Sequence, residues 1–124
     1  MKFIKTDKAP AAVGPYNQGV LSGNILFVSG QLPINMETGE LENDVKKAAK
    51  ASLSNILEVV KAAGGSLESI IKLNVFVADI NDFSDINEVY ADFFGDHKPA
   101  RSLVEVSNIP KGGILEIEAE AFID

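Results

Sequence analysis

The stretch Asp44–Gly65, DVKKAAKASLSNILEVVKAAGG, decides the fold class, because its apolar residues recur with the period of an α-helix. Spacings of four and three residues place on one face Val45, Ala49, Leu53, Ile56, Val60 and Ala63. The Gly64–Gly65 pair predicts the end of this helix, since glycine readily adopts the conformation that closes helices. A helix with one apolar face must bury that face against a second layer.

Strand patterns flank the helix on both sides. GVLSGNILFVSGQ, residues 19–31, predicts two strands around a turn at Ser22–Asn24. IIKLNVFVA, residues 70–78, alternates as a strand whose expected buried face carries Ile71, Leu73, Val75 and Val77. Further strands are predicted at residues 101–106 and 114–123, and a short leading strand at residues 3–7.

A second helix is predicted between these strands. Asn81 or Asp82 is expected to cap it, Gly95 to end it, and its apolar stripe comprises Phe83, Ile86, Tyr90 and either Phe93 or Phe94. Helices interspersed among strands indicate an α+β domain, residues 1–124, with both helices on one face of the sheet. Apolar residues expected on the other face, Phe76, Ile114 and Phe122, together with a mean hydropathy of +0.11, predict a homo-oligomer.

Composition excludes several functional classes. The chain has no cysteine and one histidine, and it lacks a D-x-D-x-D-G loop, so no metal site is expected. With a net charge of −7 and no basic stripe, nucleic-acid binding is not expected; the cluster Lys46, Lys47 and Lys50 is interpreted as a solvated helix face. The absence of a signal-peptide pattern and of long apolar runs predicts a cytoplasmic protein without membrane association.

Arg101 begins the strand in HKPARSLVEVSNIP, residues 97–110, and its role has two interpretations. It is either a solvated surface charge or a binding group for an anion. The second interpretation rests on the planar guanidinium, which can donate two parallel hydrogen bonds to a carboxylate. In the last strand, Glu116, Glu118 and Glu120 share one face, where they are either exposed to solvent or paired with a cation. The sequence pattern alone leaves these alternatives open.

Tyr16 lies in the rigid segment APAAVGPYNQG, residues 9–19, as either a packing residue or a fixed hydrogen-bond donor. Gly30, in VSGQLP, either permits a positive φ or allows a ligand to approach the backbone. His97 is interpreted as a structural loop residue. No G-x-S-x-G, G-x-G-x-x-G or Walker motif is present, so neither a serine-hydrolase elbow nor a nucleotide cofactor is expected.

Taken together, these stretches resemble the Rid/YjgF family of enamine/imine deaminases. The resemblance covers almost the whole chain, in the blocks 9–20, 28–41, 63–94 and 99–121, and is most specific over Pro99–Glu118. It implies a chorismate-mutase-like α+β fold, a mixed sheet with two helices packed on one face, and a homotrimer with clefts between subunits. It also implies cofactor-free hydrolysis of small 2-imino acids, such as 2-iminopropanoate and 2-iminobutanoate, to 2-oxo acids and ammonia.

The resemblance also assigns residues to roles. Arg101 is expected to clasp the substrate carboxylate, and Glu116 to position the attacking water, with Tyr16 as the second catalytic candidate. The remaining substrate-binding candidates, two of them through their backbone groups, are Ser29, Asn87, Gly30 and Leu103.

Two departures from the family pattern concern substrate size. Leu103 stands where a small residue is common, and the short segment Gly95–Lys98 places Lys98 where an aromatic residue is common. Two alternative functions are an RNA-acting translation inhibitor or endoribonuclease and a non-catalytic trimer that binds small carboxylates. The acidic balance opposes the first alternative. Glu116 opposes the second, because a protein that only binds anions gains nothing from a carboxylate beside its ligand.

Overall fold

The computed structural model describes residues 1–124 as one six-stranded mixed sheet with two α-helices on one face. The elements are β1 Lys2–Ile4, β2 Gly19–Ser22, β3 Ile25–Gln31, α1 Val45–Ala62, β4 Ile70–Val77, α2 Phe83–Phe94, β5 Ala100–Glu105 and β6 Leu115–Phe122. The sheet order is β1-β2-β3-β6-β4-β5, and only the β4–β5 pair is parallel. This agrees with the predicted architecture, including the short leading strand.

Helix α1 has the predicted boundaries. At its start, the Lys47 N–H donates to Asp44 Oδ2 at 3.0 Å, which satisfies one of the free amides of the first turn. After its end, Gly64 takes a φ of +95° and Gly65 N–H donates to Val60 O at 2.9 Å. Four predicted stripe residues are completely buried, namely Ala49, Leu53, Ile56 and Val60.

The hydrophobic core lies between the helices and the sheet. Along β6 the burial alternates as predicted: the odd-numbered side chains face the helices, and Glu116, Glu118 and Glu120 face the other way. The same alternation in β4 buries Leu73 and Val75. The core therefore joins the central strands to α1 through one continuous apolar cluster.

The prediction that Ile71 lies on the buried face of β4 was wrong. Ile71 is 41% exposed and Ile70 is buried instead, because the pairing of β4 with β6 shifts register between Ile70 and Lys72 and changes which side chains face the core. At the start of α2, Asp82 occupies the N-cap position, as one of the two predicted alternatives, but its side chain makes no capping hydrogen bond. A 3-10 turn leads into the helix, and Asp79 accepts a hydrogen bond from the Asn81 N–H at 2.9 Å.

The face of the sheet opposite the helices, here called the open face, carries β6 glutamates and exposed aromatic residues. Phe3, Phe27 and Phe122 are between 47% and 65% exposed. Phe76 faces the same side, whereas Ile114 lies before β6 and packs partly against the core, contrary to its predicted place. The open face is thus an apolar surface with a row of carboxylates. Neither helix has the length and apolar character that crossing a membrane requires.

Candidate functional site

All but one of the predicted site residues line one of two separate cavities. The larger, here called the Glu116 cavity, has a volume of about 560 Å³ and is lined by Tyr16, Ser29, Gly30 and Glu116, among others. The smaller, here called the Arg101 cavity, has a volume of about 220 Å³ and is lined by Asn87 and Arg101, among others. Leu103 lines neither cavity; its side chain packs against the core, so it narrows neither.

The two cavities open on opposite faces of the sheet. Arg101 stands in register with the completely buried Leu73, so its side chain emerges on the helix-covered face. Glu116 stands in register with Phe76 of β4. Because the neighbours of Phe76 in β4, Val75 and Val77, are buried on the helix-covered side, Phe76 and Glu116 both point to the open face. Because β4 also lies between the two strands that carry them, one chain does not bring Arg101 and Glu116 to the same small molecule.

Gly30 allows the Glu116 carboxyl group to lie against the backbone. The pairing of β3 with β6 is irregular between Val28 and Gln31, so Gly30 sits in a bulge. A Cβ built on Gly30 would lie 2.9 Å from both Cδ and Oε2 of Glu116. Gly30 has no positive φ, so the interpretation that applies is the close approach of another group to its backbone. The group that approaches is the carboxyl of Glu116 and not a ligand.

The surroundings of Glu116 change the acidity of its carboxyl group. Burial raises the pKa of its carboxyl, and the neighbouring Glu118 carboxylate raises it further. Glu118 itself accepts a hydrogen bond from Asn74 Nδ2 at 2.9 Å, whereas no side-chain hydrogen bond of the chain engages Glu116. A carboxyl group with a raised pKa and no partner is suited to act as a general base and then as a general acid.

A buried glutamine holds the loop that carries Tyr16. The Thr6 N–H donates to Gln18 Oε1 at 2.7 Å, and Gln18 Nε2 donates to Thr6 O at 3.0 Å and to Pro10 O at 2.8 Å. Tyr16 N–H closes a tight turn onto Gly14 O at 2.9 Å. Because Tyr16 is 49% exposed and lines the cavity, it is not a core packing residue.

Ser29 connects the same loop to β3. Its Oγ donates to Asn17 O at 2.6 Å, and its N–H donates to Gln18 O at 2.9 Å. The hydroxyl proton is therefore used inside the chain, and the oxygen retains lone pairs that can accept a hydrogen bond from a ligand.

The Arg101 guanidinium is held by aromatic rings and by no carboxylate. Its carbon lies 4.8 Å from the centroid of the Tyr90 ring and 5.5 Å from that of Phe83. The two ion pairs of the chain involve other residues. The guanidinium is thus oriented while its N–H donors stay available, which is the arrangement that an anion site needs.

Tyr90 also has a buried hydroxyl without a hydrogen-bond partner in the chain. Burial raises the pKa of Tyr90, and the nearby Arg101 partly opposes that shift, so the phenol stays protonated at neutral pH. Our sequence reasoning assigned Phe83 and Tyr90 to the core stripe of α2 and missed their contact with Arg101. The only available signal was two aromatic residues two helical turns apart, shortly before an arginine that opens a strand.

A family model described as Endoribonuclease L-PSP matches residues 6–123. The 2-iminobutanoate/2-iminopropanoate deaminase of Escherichia coli is 50% identical over 123 residues, which cover 97% of this chain and 96% of that protein. A RutC family protein, PH0854 of Pyrococcus horikoshii, is 48% identical over 122 residues, covering 98% and 97% respectively. The chain therefore belongs to the Rid/YjgF family, as the resemblance predicted.

Solved structures agree at the level of the whole fold. The crystal structure of E. coli TdcF with bound serine has a TM-score of 0.95, 49% identity and coverage of 100% of both chains. The structure of the YjgF gene product from E. coli has a TM-score of 0.94 and 49% identity over 98% of each chain.

Proposed function

We propose that this protein is an enamine/imine deaminase that hydrolyses 2-imino acids, such as 2-iminopropanoate and 2-iminobutanoate, to 2-oxo acids and ammonia. In this proposal the Arg101 cavity of one subunit faces the Glu116 cavity of a neighbour in a homotrimer. The observation that carries it is an oriented guanidinium without a carboxylate partner, separated by the sheet from an unpartnered carboxyl of raised pKa. The Arg101 cavity has no carboxyl group, and the Glu116 cavity has no guanidinium.

The proposed chemistry uses one proton carrier. Arg101 binds the substrate carboxylate, which fixes the orientation of the C=N bond. Glu116 accepts a proton from water as the water oxygen bonds to C2, and the C=N double bond becomes a C–N single bond. Glu116 returns that proton to nitrogen, which leaves C2 with a hydroxyl and an amino group, and then transfers the hydroxyl proton to nitrogen as well. The C–N bond breaks as the electron pair left on oxygen forms the carbonyl, and ammonia leaves. Imine plus water thus gives 2-oxo acid plus ammonia, and the scheme calls for no cofactor.

The open face supports assembly from identical subunits. Phe3, Phe27 and Phe122 are between 47% and 65% exposed on this one face, and exposed apolar side chains gathered on one surface mark a site of protein–protein contact. The net charge of −7 repels an anionic substrate at a distance, but salt screens that repulsion beyond about 8 Å. Inside a cleft, the nearby guanidinium then dominates the field that the substrate experiences.

Two names among the relatives support this substrate class. One relative is named a 2-iminobutanoate/2-iminopropanoate deaminase. TdcF was crystallised with serine, a small amino acid whose α-carboxylate is the same group that a 2-imino acid presents. A purely carboxylate-binding protein would use the Arg101 cavity equally well, so the contribution of Glu116 is the point to test.

The test is subunit complementation between Arg101→Ala and Glu116→Gln. Each variant alone should remain folded and trimeric but should accelerate 2-iminopropanoate hydrolysis much less than wild-type protein does. Hydrolysis is measured as the decrease in semicarbazone, which forms only from imine that has not been hydrolysed. When equal amounts are unfolded together and refolded, about one quarter of the clefts should combine an intact Arg101 with an intact Glu116 from different subunits. Activity should return to about that fraction.

Each result has a clear meaning. Refolding each variant by itself is the control for the procedure. No recovery in the mixture, with mixed trimers present, would show that the two residues do not share a cleft between subunits. Wild-type rates in Glu116→Gln would show that Glu116 is not the base, and a wild-type protein that does not accelerate the hydrolysis would favour the binding protein over the enzyme. Arg101→Lys should also be poor, because an ammonium group cannot reproduce the two-pronged contact of guanidinium.

A further inference from the structure

The Arg101 cavity contains a second cation, Lys98, and no acidic side chain. This is unusual in a chain with 18 acidic and 11 basic residues. Lys98 forms no ion pair, and its Nζ donates only one long hydrogen bond, to Gly95 O at 3.4 Å. At least two of its three N–H groups therefore remain available for a ligand.

The backbone that presents Lys98 is anchored on both sides. His97 Nε2 donates to Ile70 O at 2.6 Å, and the His97 N–H donates to Phe94 O at 3.2 Å. Gly95 N–H donates to Ala91 O at 3.0 Å and closes α2. The loop is thus tied to the sheet and to the helix, so the Lys98 backbone has a defined position at the rim and only its side chain is free to adjust.

We propose that Lys98 binds a second carboxylate, so that 2-imino dicarboxylates of four or five carbons are preferred substrates. This inference rests on the proposed function, in which Arg101 takes the carboxylate next to the imine carbon. Two cations in one small cavity repel each other, and a ligand with two negative charges relieves that repulsion. The amide of Asn87 lines the same cavity and offers the distal carboxylate a further donor.

A single carboxylate shared by Arg101 and Lys98 is the competing arrangement, and it predicts a different result. In that case removal of the Lys98 side chain lowers kcat/KM for every 2-imino acid by the same factor. If Lys98 binds a distal group, its removal affects only substrates that carry one. The ratio of the two kcat/KM values therefore distinguishes these arrangements.

The experiment compares imines generated from alanine and from aspartate by flavin amino acid oxidases, with catalase present and semicarbazide as the trap. Lys98→Met should lower kcat/KM for the dicarboxylate about tenfold, the cost of losing one hydrogen bond to a charged group, and change the monocarboxylate value little. Lys98→Arg should keep the preference. Lys5→Met, which removes an equal charge from an exposed residue that lines neither cavity, should leave both values unchanged.

Three outcomes would overturn the inference. If wild-type protein accelerates hydrolysis of the monocarboxylate and not of the dicarboxylate, the inference fails and the proposed function stands. The inference also fails, and the proposed function stands, if Lys98→Met lowers kcat/KM for both substrates in equal proportion or lowers neither value. If wild-type protein accelerates neither reaction, the proposed function fails, and the inference fails with it.

Discussion

The carboxyl group of Glu116 rests against the bare backbone of Gly30, with Cδ and Oε2 each only 2.9 Å from where a β carbon would stand. We expect Gly30→Ala to displace this carboxyl and to lower kcat/KM for 2-iminopropanoate about 100-fold, since a shift of about 1 Å at a reacting group has that effect. Stability should change little, because the crowded atoms belong to the end of a flexible side chain and Gly30 has no positive φ.

Gly113→Ala is the matched control for this change. A β carbon there meets Ile109 Cγ2 at 3.1 Å and does not touch Glu116. Its activity should stay close to that of wild-type protein. Full activity in a folded Gly30→Ala variant would show that the position of Glu116 is not critical for the reaction.

The ring of Tyr90 should matter more than its hydroxyl. Tyr90→Leu removes the surface that lies 4.8 Å from the Arg101 guanidinium, and we expect kcat/KM to fall about tenfold, near the upper range of cation–π energies. Tyr90→Phe keeps the ring and removes a buried hydroxyl that lacks a partner, so it should retain activity and unfold at equal or higher denaturant concentration. A large loss of stability in Tyr90→Phe would mean that the hydroxyl finds a partner on a neighbouring subunit.

The activity should depend on pH through Glu116. Because burial, followed by the Glu118 carboxylate, raises the pKa of Glu116, the carboxylate form is lost at a higher pH than for an ordinary glutamate. We therefore expect kcat/KM to fall on acidification at a pH above about 4.3, the usual value for this side chain. Glu118→Gln should move the midpoint to lower pH. A profile that does not respond to Glu118→Gln would argue that another group titrates.

The same shift should appear in the stability of the protein. A folded-state pKa above the unfolded value favours the folded state below the unfolded pKa, and this contribution disappears as the pH rises through the folded pKa. Glu116→Gln should therefore have a higher free energy of unfolding than wild-type protein at about pH 7, and this difference should disappear at about pH 4. Denaturant titrations at matched protein concentration measure the difference. An advantage that is larger at the lower pH would contradict the sign.

RNA should be neither bound tightly nor cleaved, although the family model is described as an endoribonuclease. The chain carries 18 acidic and 11 basic residues, and phosphate neutralisation requires clustered cations. We expect no change in the electrophoretic pattern of single-stranded RNA and no shift in its anisotropy at low salt. Binding that weakens steeply as salt is added would contradict this prediction.

Most of the fold follows from local periodicity. The spacing of apolar residues in Asp44–Gly65 predicts α1 with its boundaries, and the alternation along β6 predicts which of its side chains are buried. The burial of Ile70 in place of Ile71 did not follow, because it arises from the pairing of β4 with Glu120 and Ala121 of β6, which lie far from β4 in the sequence. Local pattern carries no information about such an irregularity.

The resemblance selected the candidate residues, but the arrangement of those residues depends on long-range pairing. Alternation within a strand indicates that Arg101 and Leu103 share a face, and separately that Glu116, Glu118 and Glu120 share one. It does not relate the faces of two different strands. The stacking of Arg101 on Tyr90 likewise depends on how α2 crosses from β4 to β5.

The sequence by itself determined the helices, the strands, most of the core-facing positions and the family, because these depend on neighbours within a few residues and on recognisable blocks. Only the tertiary structure decided that Arg101 emerges on the helix-covered face and Glu116 on the open face. The physical reason is that strand register sets the face to which each side chain points, and pairing between distant segments sets the register.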